Sequence, residues 1–269
     1  MDMEPSPIHV IHGAGHDHQS AKWIPFQHYE PDQGEQIHGQ TQSVRAFGKS
    51  GKLFAGFWKI GSPGSDTDSC AVHDFKYSAQ SGDTINYVIE GFATVTVSHS
   101  GRQFQLRPGS IIITPKESEV HWKIQGPYFK TFLLIWNGSK PAETPLSEVQ
   151  VHHANDLTTD FQDYHYCEPA HGPLVAGELR YLQQSGSRGI MLSGIWRGGK
   201  GIAGSHVDSD GTLSVPYTAV LGDETILLLE GEVNIYDKEN DVLYKFYAGD
   251  VIGLTTGPFA RKLWAITRD

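Results

Sequence analysis

YSAQSGDTINYVIEGFATVTV (residues 77–97), followed by LRPGSIIITP (106–115), decides the fold of this chain. An apolar run from Ile85 to Glu90 stops at Gly91, a second runs from Phe92 to Val97, and SHSGRQ then supplies turn residues. Short runs closed by Gly-rich turns mark antiparallel strands with tight connections. The device returns as YTAVLGDETILLLEGEVNIYD (217–237), closed by FYAGDVIGL (246–254). Tyr77 and Tyr217, Asp83 and Asp223, Gly91 and Gly231, and Gly109 and Gly249 are each 140 positions apart, so the chain contains an internal duplication.

The repeat extends outward from this stretch. Glu30-Pro31 recurs as Glu168-Pro169, Gly39 as Gly177, Gly51 as Gly189 and Gly56-Phe57-Trp58 as Gly194-Ile195-Trp196, all at a spacing of 138. The step from 138 to 140 puts two extra residues into the loop GGKGIAGSHVDSDG of the second copy. LVAGELRYLQQ alone reads as a helix, since its residues are good helix formers. Its counterpart IHGQTQSVRAF has no helical merit, so both are predicted to be strands. NGSKPAETPLSEVQ reads as a surface connection, giving a first domain over 1–138 and a linker with a second domain over 139–269.

Many short strands with little helical periodicity predict an all-β protein of two β-sandwiches or barrels, one per copy. With 269 residues there is material for two modest cores. Asp and Glu outnumber Lys and Arg by 31 to 21, a balance that repels nucleic acid and anionic lipid. No stretch has the length of a membrane span or the layout of a secretion signal, so a soluble cytoplasmic protein is expected. Cys70 and Cys167 lack metal-ligand or disulfide-framework spacing. The N-terminal arm carries His9, His12, His16 and His18 without fixed geometry, and is read as a polar arm laid over a sheet.

GFWKIGSPG, YVIEG, LRPGSIIITPKESEVHW and KTFLLIW resemble the cupin superfamily, and within it the group of ureidoglycine aminohydrolase and the ethanolamine-utilisation cupins. The resemblance implies two jelly-roll barrels, a pseudo-symmetric bicupin. Active cupins mostly hold a divalent metal on two or three His and a carboxylate. Mapped onto that pattern, the first copy has Tyr77 and Ala79 at the His pair and Thr84 at the carboxylate. The second keeps Glu224 but has Tyr217 and Ala219 at the His pair, and only Ala260 and Arg261 near the last His. The expectation is therefore no metal and no cofactor.

Strand alternation puts His73, Phe75 and Tyr77 on one face and Thr84, Asn86 and Val88 on another shared face, with Leu213, Val215, Ile226 and Leu228 as the apolar counterparts in copy two. The first barrel is thus the more polar. Candidate catalytic residues are His121, His73, Tyr77, Thr84 and Asn86, a set able to move protons and stabilise an oxyanion without a metal. Trp58, Phe75, Val88 and Trp122 are candidate substrate contacts, and Glu224 with Tyr217 the candidates in the second barrel. The functional expectation is a small-molecule isomerase, cyclase, lyase or hydrolase. A non-catalytic binding or structural bicupin is the alternative, and a metal-dependent aminohydrolase or oxygenase with unusual ligands such as His73 and His121 a weaker one. The expected partner is a small-molecule substrate, with a homodimer left open.

Overall fold

The computed structural model describes residues 22–45, 52–62, 73–168, 170–203, 209, 213–216, 223–237 and 241–252, and the backbone of 256–268. The N-terminal histidines, Tyr217, Ala219 and Cys70 lie outside the described residues. The strands of the first half are β1 (Ile24–Glu30), β2 (Gly34–Arg45), β3 (Lys52–Gly61), β4 (His73–Ser78), β5 (Asp83–Val97), β6 (Gln103–Leu106), β7 (Ser110–Thr114), β8 (Glu119–Asn137) and β9 (Gln150–His153). Those of the second are β10 (Gln162–Glu168), β11 (Gly172–Gln183), β12 (Ile190–Gly199), β13 (Asp223–Asp237), β14 (Val242–Tyr247), β15 (Val251–Ile252) and β16 (Thr256–Arg268). A single 3-10 turn at Ala154–Asp156 is the one helical element among the described residues. No helix there is long and apolar enough to cross a membrane.

The chain divides into two compact units. One gathers the described parts of Gln19–Thr159 together with Gln183–Leu192, and the other those of Asp160–Leu182 and Ser193–Ile266. Each is built on its own antiparallel sheet, ordered β1-β2-β3-β8-β5-β7-β9 in the first, with β4 on β8 and β6 on β5, and β10-β11-β12-β16-β13-β14 in the second, with β15 on β13. This is the jelly-roll arrangement expected of a cupin, and LVAGELRYLQQ is indeed strand, within β11.

The duplication survives at the level of individual hydrogen bonds. Ile24 faces Thr41 and Glu30 faces Gly34, and in the second copy Gln162 faces Leu179 and Glu168 faces Gly172, with the same register shift inside both hairpins. Trp58 Nε1 donates to the His38 carbonyl at 2.7 Å, and Trp196 Nε1 to the Ala176 carbonyl at 2.6 Å. Gly39 and Gly177, at φ +74° and +73°, sit where a Cβ would collide with the Lys59 and Arg197 carbonyls, so only glycine fits. Lys59 lies over the Trp23 ring and Arg197 over Phe161, again one pair per copy. At the 140 spacing, Gly109 N–H donates to Val88 and Gly249 N–H to Leu228. The turns that follow are stapled alike, with Ser110 Oγ accepting from Arg107 N–H and Asp250 Oδ2 from Tyr247 N–H.

Alternation along β4 and β8 fills the first barrel. Phe75, Tyr77, Val120, Trp122 and Ile124 turn in, while Asp74, His121 and Lys123 turn out. Trp58, Val88, Ile112, Phe129 and Leu133 complete one continuous apolar cluster with them. Trp58, Val88 and Trp122 are therefore packed core residues, and Phe75, buried with them, stacks its ring on His38.

Candidate functional site: a histidine cluster at the mouth of the first barrel

Strand β1 presents Phe26, His28 and Glu30 on alternate positions, and β2 brings His38 beside them across the hairpin. The hairpin is pinned to β4 by Glu30, whose side chain is 0% exposed and accepts from Ser78 N–H at 2.6 Å and Ser78 Oγ at 2.7 Å. His28 then sits over β4, its ring edge-on to Tyr77 at 5.3 Å between centroids and 5.2 Å from His38. His38 stacks on Phe75 at 4.2 Å, and His73 is close enough to act on its charge. Phe26 flanks His28 on the remaining side at 5.8 Å and touches Trp58.

His28 is the centre of this group. Its side chain is 5% exposed and Nε2 lies 3.3 Å from Glu30 Oε1, yet neither ring nitrogen has a well-formed hydrogen-bond partner. Burial pushes its pKa below the ordinary 6.5, more than offsetting the Glu30 carboxylate and the Lys76 backbone carbonyl, which favour the protonated ring. His38 is lowered too, first by burial and then by the neighbouring His28 and His73, against the pull of Glu30. Burial raises Tyr77, partly countered by its contact with Thr84, so the phenol stays protonated at neutral pH. The cluster thus combines two neutral imidazoles, a protonated phenol and one buried carboxylate.

Of the residues singled out from sequence, the structure brings His73, Phe75 and Tyr77 to this mouth and leaves others elsewhere. His121 is a correction: it lies on the outer face of β8, 48% exposed, with Nε2 2.8 Å from Asp74 Oδ1, and cannot reach the interior. Thr84 contacts Tyr77 Oη at 3.4 Å, deeper in the barrel. Asn86 Oδ1 is occupied by the Thr131 hydroxyl at 3.1 Å. Glu224 is half-buried at the start of β13, where its neighbours Thr225 and Ile226 are buried.

His28, His38 and the functional aspect of Glu30 were missed in the sequence. Glu30 entered only as a marker of the repeat. The signal available was the alternation Phe26-His28-Glu30, whose equivalents in copy two are Tyr164, Tyr166 and Glu168. There Tyr166 Oη donates to the Pro216 carbonyl at 2.6 Å, and Ala176 replaces His38, so the second copy has no such imidazole pair. A separate cavity of about 500 Å³ opens between turns at Ser98, His99, Lys116, Glu117 and Leu146. It contains none of the cluster, and Lys116 there lies near Glu117.

The region from β4 through most of β8 resembles a known family. Residues 70–132 match the EutQ-like cupin domain family. That stretch is similar to a cupin domain. No curated protein matches the chain in sequence. Among solved structures, a protein of unknown function from Pseudomonas syringae pv. tomato str. DC3000 is 15% identical, with 92% of this chain and 94% of that one covered at a TM-score of 0.59. A putative glyoxylate induced protein from Pseudomonas aeruginosa is 14% identical over 92% and 83%, at 0.53. Protein Ylba from E. coli is 13% identical over 81% and 78%, at 0.50. At these identities the likeness is one of fold.

Cupin folds commonly carry a divalent metal, and in the first barrel the residues at the positions that the resemblance assigns to ligands do not fit one. Tyr77 and Ala79 stand at the imidazole positions, and the Thr84 hydroxyl, in contact with Tyr77, stands at that of the carboxylate. Among the described residues no three His, Cys, Asp or Glu converge to hold an ion, those of the mouth included. A hydroxyl pair in an apolar barrel is a poor donor set for any transition metal.

Proposed function

We propose that the first cupin barrel acts on a small molecule by acid–base chemistry at its mouth, with His28 as the proton acceptor. The observation that carries this reading is the pairing of His28 with the fully buried Glu30 carboxylate. A base whose ring is oriented by a third, rigidly held group is the arrangement nucleophile and proton-transfer sites use. Glu30 is held by two Ser78 donors, so its position does not depend on ligand. Burial keeps the imidazole neutral and ready to accept a proton, and the Glu30 charge stabilises the imidazolium that results. The 3.3 Å contact is loose, as catalytic hydrogen bonds often are before substrate binds.

Tyr77 lies edge-on to the His28 ring, with its phenol kept protonated and its hydroxyl turned to Thr84. A neutral imidazole base beside a buried carboxylate suits the proton-transfer step of an isomerase, cyclase, lyase or hydrolase. The second copy, with Tyr166 and Ala176 in place of the imidazoles, fits a supporting role.

Ligand-observed screening of small metabolites against the full chain, followed by mapping of each hit on the imidazole resonances, tests the location. Hits are expected to move His28, His38 and His73. Hits that leave all three unmoved and perturb only the surroundings of Glu224 contradict the reading.

A further inference from the structure

The charges around the mouth are sorted by sign. On its inner side stands one carboxylate, Glu30, with two imidazoles that burial disfavours from becoming cations. The lysines of the adjoining strands are turned away. Lys59 lies over Trp23, Lys76 pairs with Asp32 at 3.1 Å and Glu119 at 2.7 Å, Lys130 lies over Phe57, and Lys123 is exposed on the His121 face. No Lys or Arg side chain is among the charges that act on His28 and His38. An anionic ligand would meet the Glu30 charge with no counter-charge to bind.

The remaining groups are those that attract a positive charge. Phe26, Phe75 and Tyr77 lie against the imidazoles, and aromatic faces draw cations through their quadrupole. The neutral His28 ring has a buried nitrogen lone pair without a donor. Such an orphan needs an N–H or O–H from outside the chain to be satisfied. Half-buried His38 and His73 mark the side from which a ligand head reaches it.

We propose that the mouth takes a small organic cation, an ammonium or amidinium head on a compact apolar body, and rejects carboxylates and phosphates. This rests on the reading of the mouth as the working site and names the substrate class for it. The N–H of the head donates to His28, the Glu30 charge compensates it, and the rings cover its apolar part. A cationic substrate also suits a neutral base, since proton removal from it separates no new charge.

The test uses three probes of one shape, n-butylammonium, 1-butanol and butyrate, titrated into the full chain at pH 7.5 with the His28 resonance as readout. Butylammonium is expected to bind at least tenfold more tightly than butanol, with butyrate showing no saturable shift. Glu30→Gln is expected to erase that preference. Should that variant fold poorly, Phe75→Leu keeps an apolar core residue while removing a ring face. It is expected to weaken butylammonium severalfold and by a larger factor than butanol. Equal affinity for the three probes, tighter binding of butyrate, or no binding of any would overturn the proposal. Proton transfer at His28 is measured separately by solvent exchange, so the two ideas fail independently.

Discussion

His28 Nε2 stands 3.3 Å from Glu30 Oε1, and Glu30 in turn holds the Ser78 N–H and hydroxyl, so one buried carboxylate both fixes the β1–β2 hairpin to β4 and sets a negative charge beside the imidazole. Structure and proposed chemistry meet in that residue.

Glu30→Ala removes the acceptor from a buried backbone N–H. Hydrogen bonds to charged groups are worth about 1.5–3 kcal/mol, and a loss of that size is expected in urea denaturation. Ser78→Ala, which keeps the backbone bond, should lose less. Equal losses in the two variants would place the anchor elsewhere.

Stability should fall on the acid side of neutrality. The folded state depresses His28 and His38 below the ordinary 6.5 through burial, so the unfolded chain binds more protons as pH drops. Their contribution is complete above that value and is lost as pH falls through the folded pKa values, with a slope approaching about 1.4 kcal/mol per pH unit for each proton. His28→Gln should flatten the curve between roughly pH 6.5 and 5, within the range where a histidine titrates. A wild-type curve already flat there would contradict the burial of these imidazoles.

His121→Ala should be nearly silent. Its partner Asp74 is as exposed as it is, and exposed pairs contribute about 0–1 kcal/mol. Thermal midpoint and ligand response are expected to match wild type; loss of ligand response would return His121 to the site.

Gly39→Ala and Gly177→Ala should both destabilise. Each forces a Cβ into a carbonyl at positive φ, and strain of this kind costs on the order of 1–3 kcal/mol before any steric shift. Denaturation of the two variants checks whether the repeated hairpins answer alike. A tolerated Gly177→Ala beside a damaging Gly39→Ala would break the equivalence.

The fold was legible because the duplication records it twice. Glycines at fixed offsets mark backbone positions that no other residue fills, and Trp58 and Trp196 each need the carbonyl their indole reaches. That repetition also corrected the helical look of β11, where composition alone misleads. The site was less legible for the same reason. Features shared by both copies drew attention, whereas His28 and His38 are what the copies do not share. His121 looked inward by proximity to Trp122, but neighbours along a strand face opposite sides, and it pairs with Asp74 on the surface. Trp58 and Trp122, suggestive of a stacking platform, are consumed by the core.

Solvent proton exchange tests the central claim most directly. EDTA-treated full chain in D₂O, incubated with a small molecule it binds, should exchange a substrate proton for deuterium. His28→Gln should slow that exchange by roughly 10²–10⁴-fold with folding intact, the loss typical of a general base. Exchange that persists in His28→Gln, or that needs added divalent metal in the wild type, would contradict it.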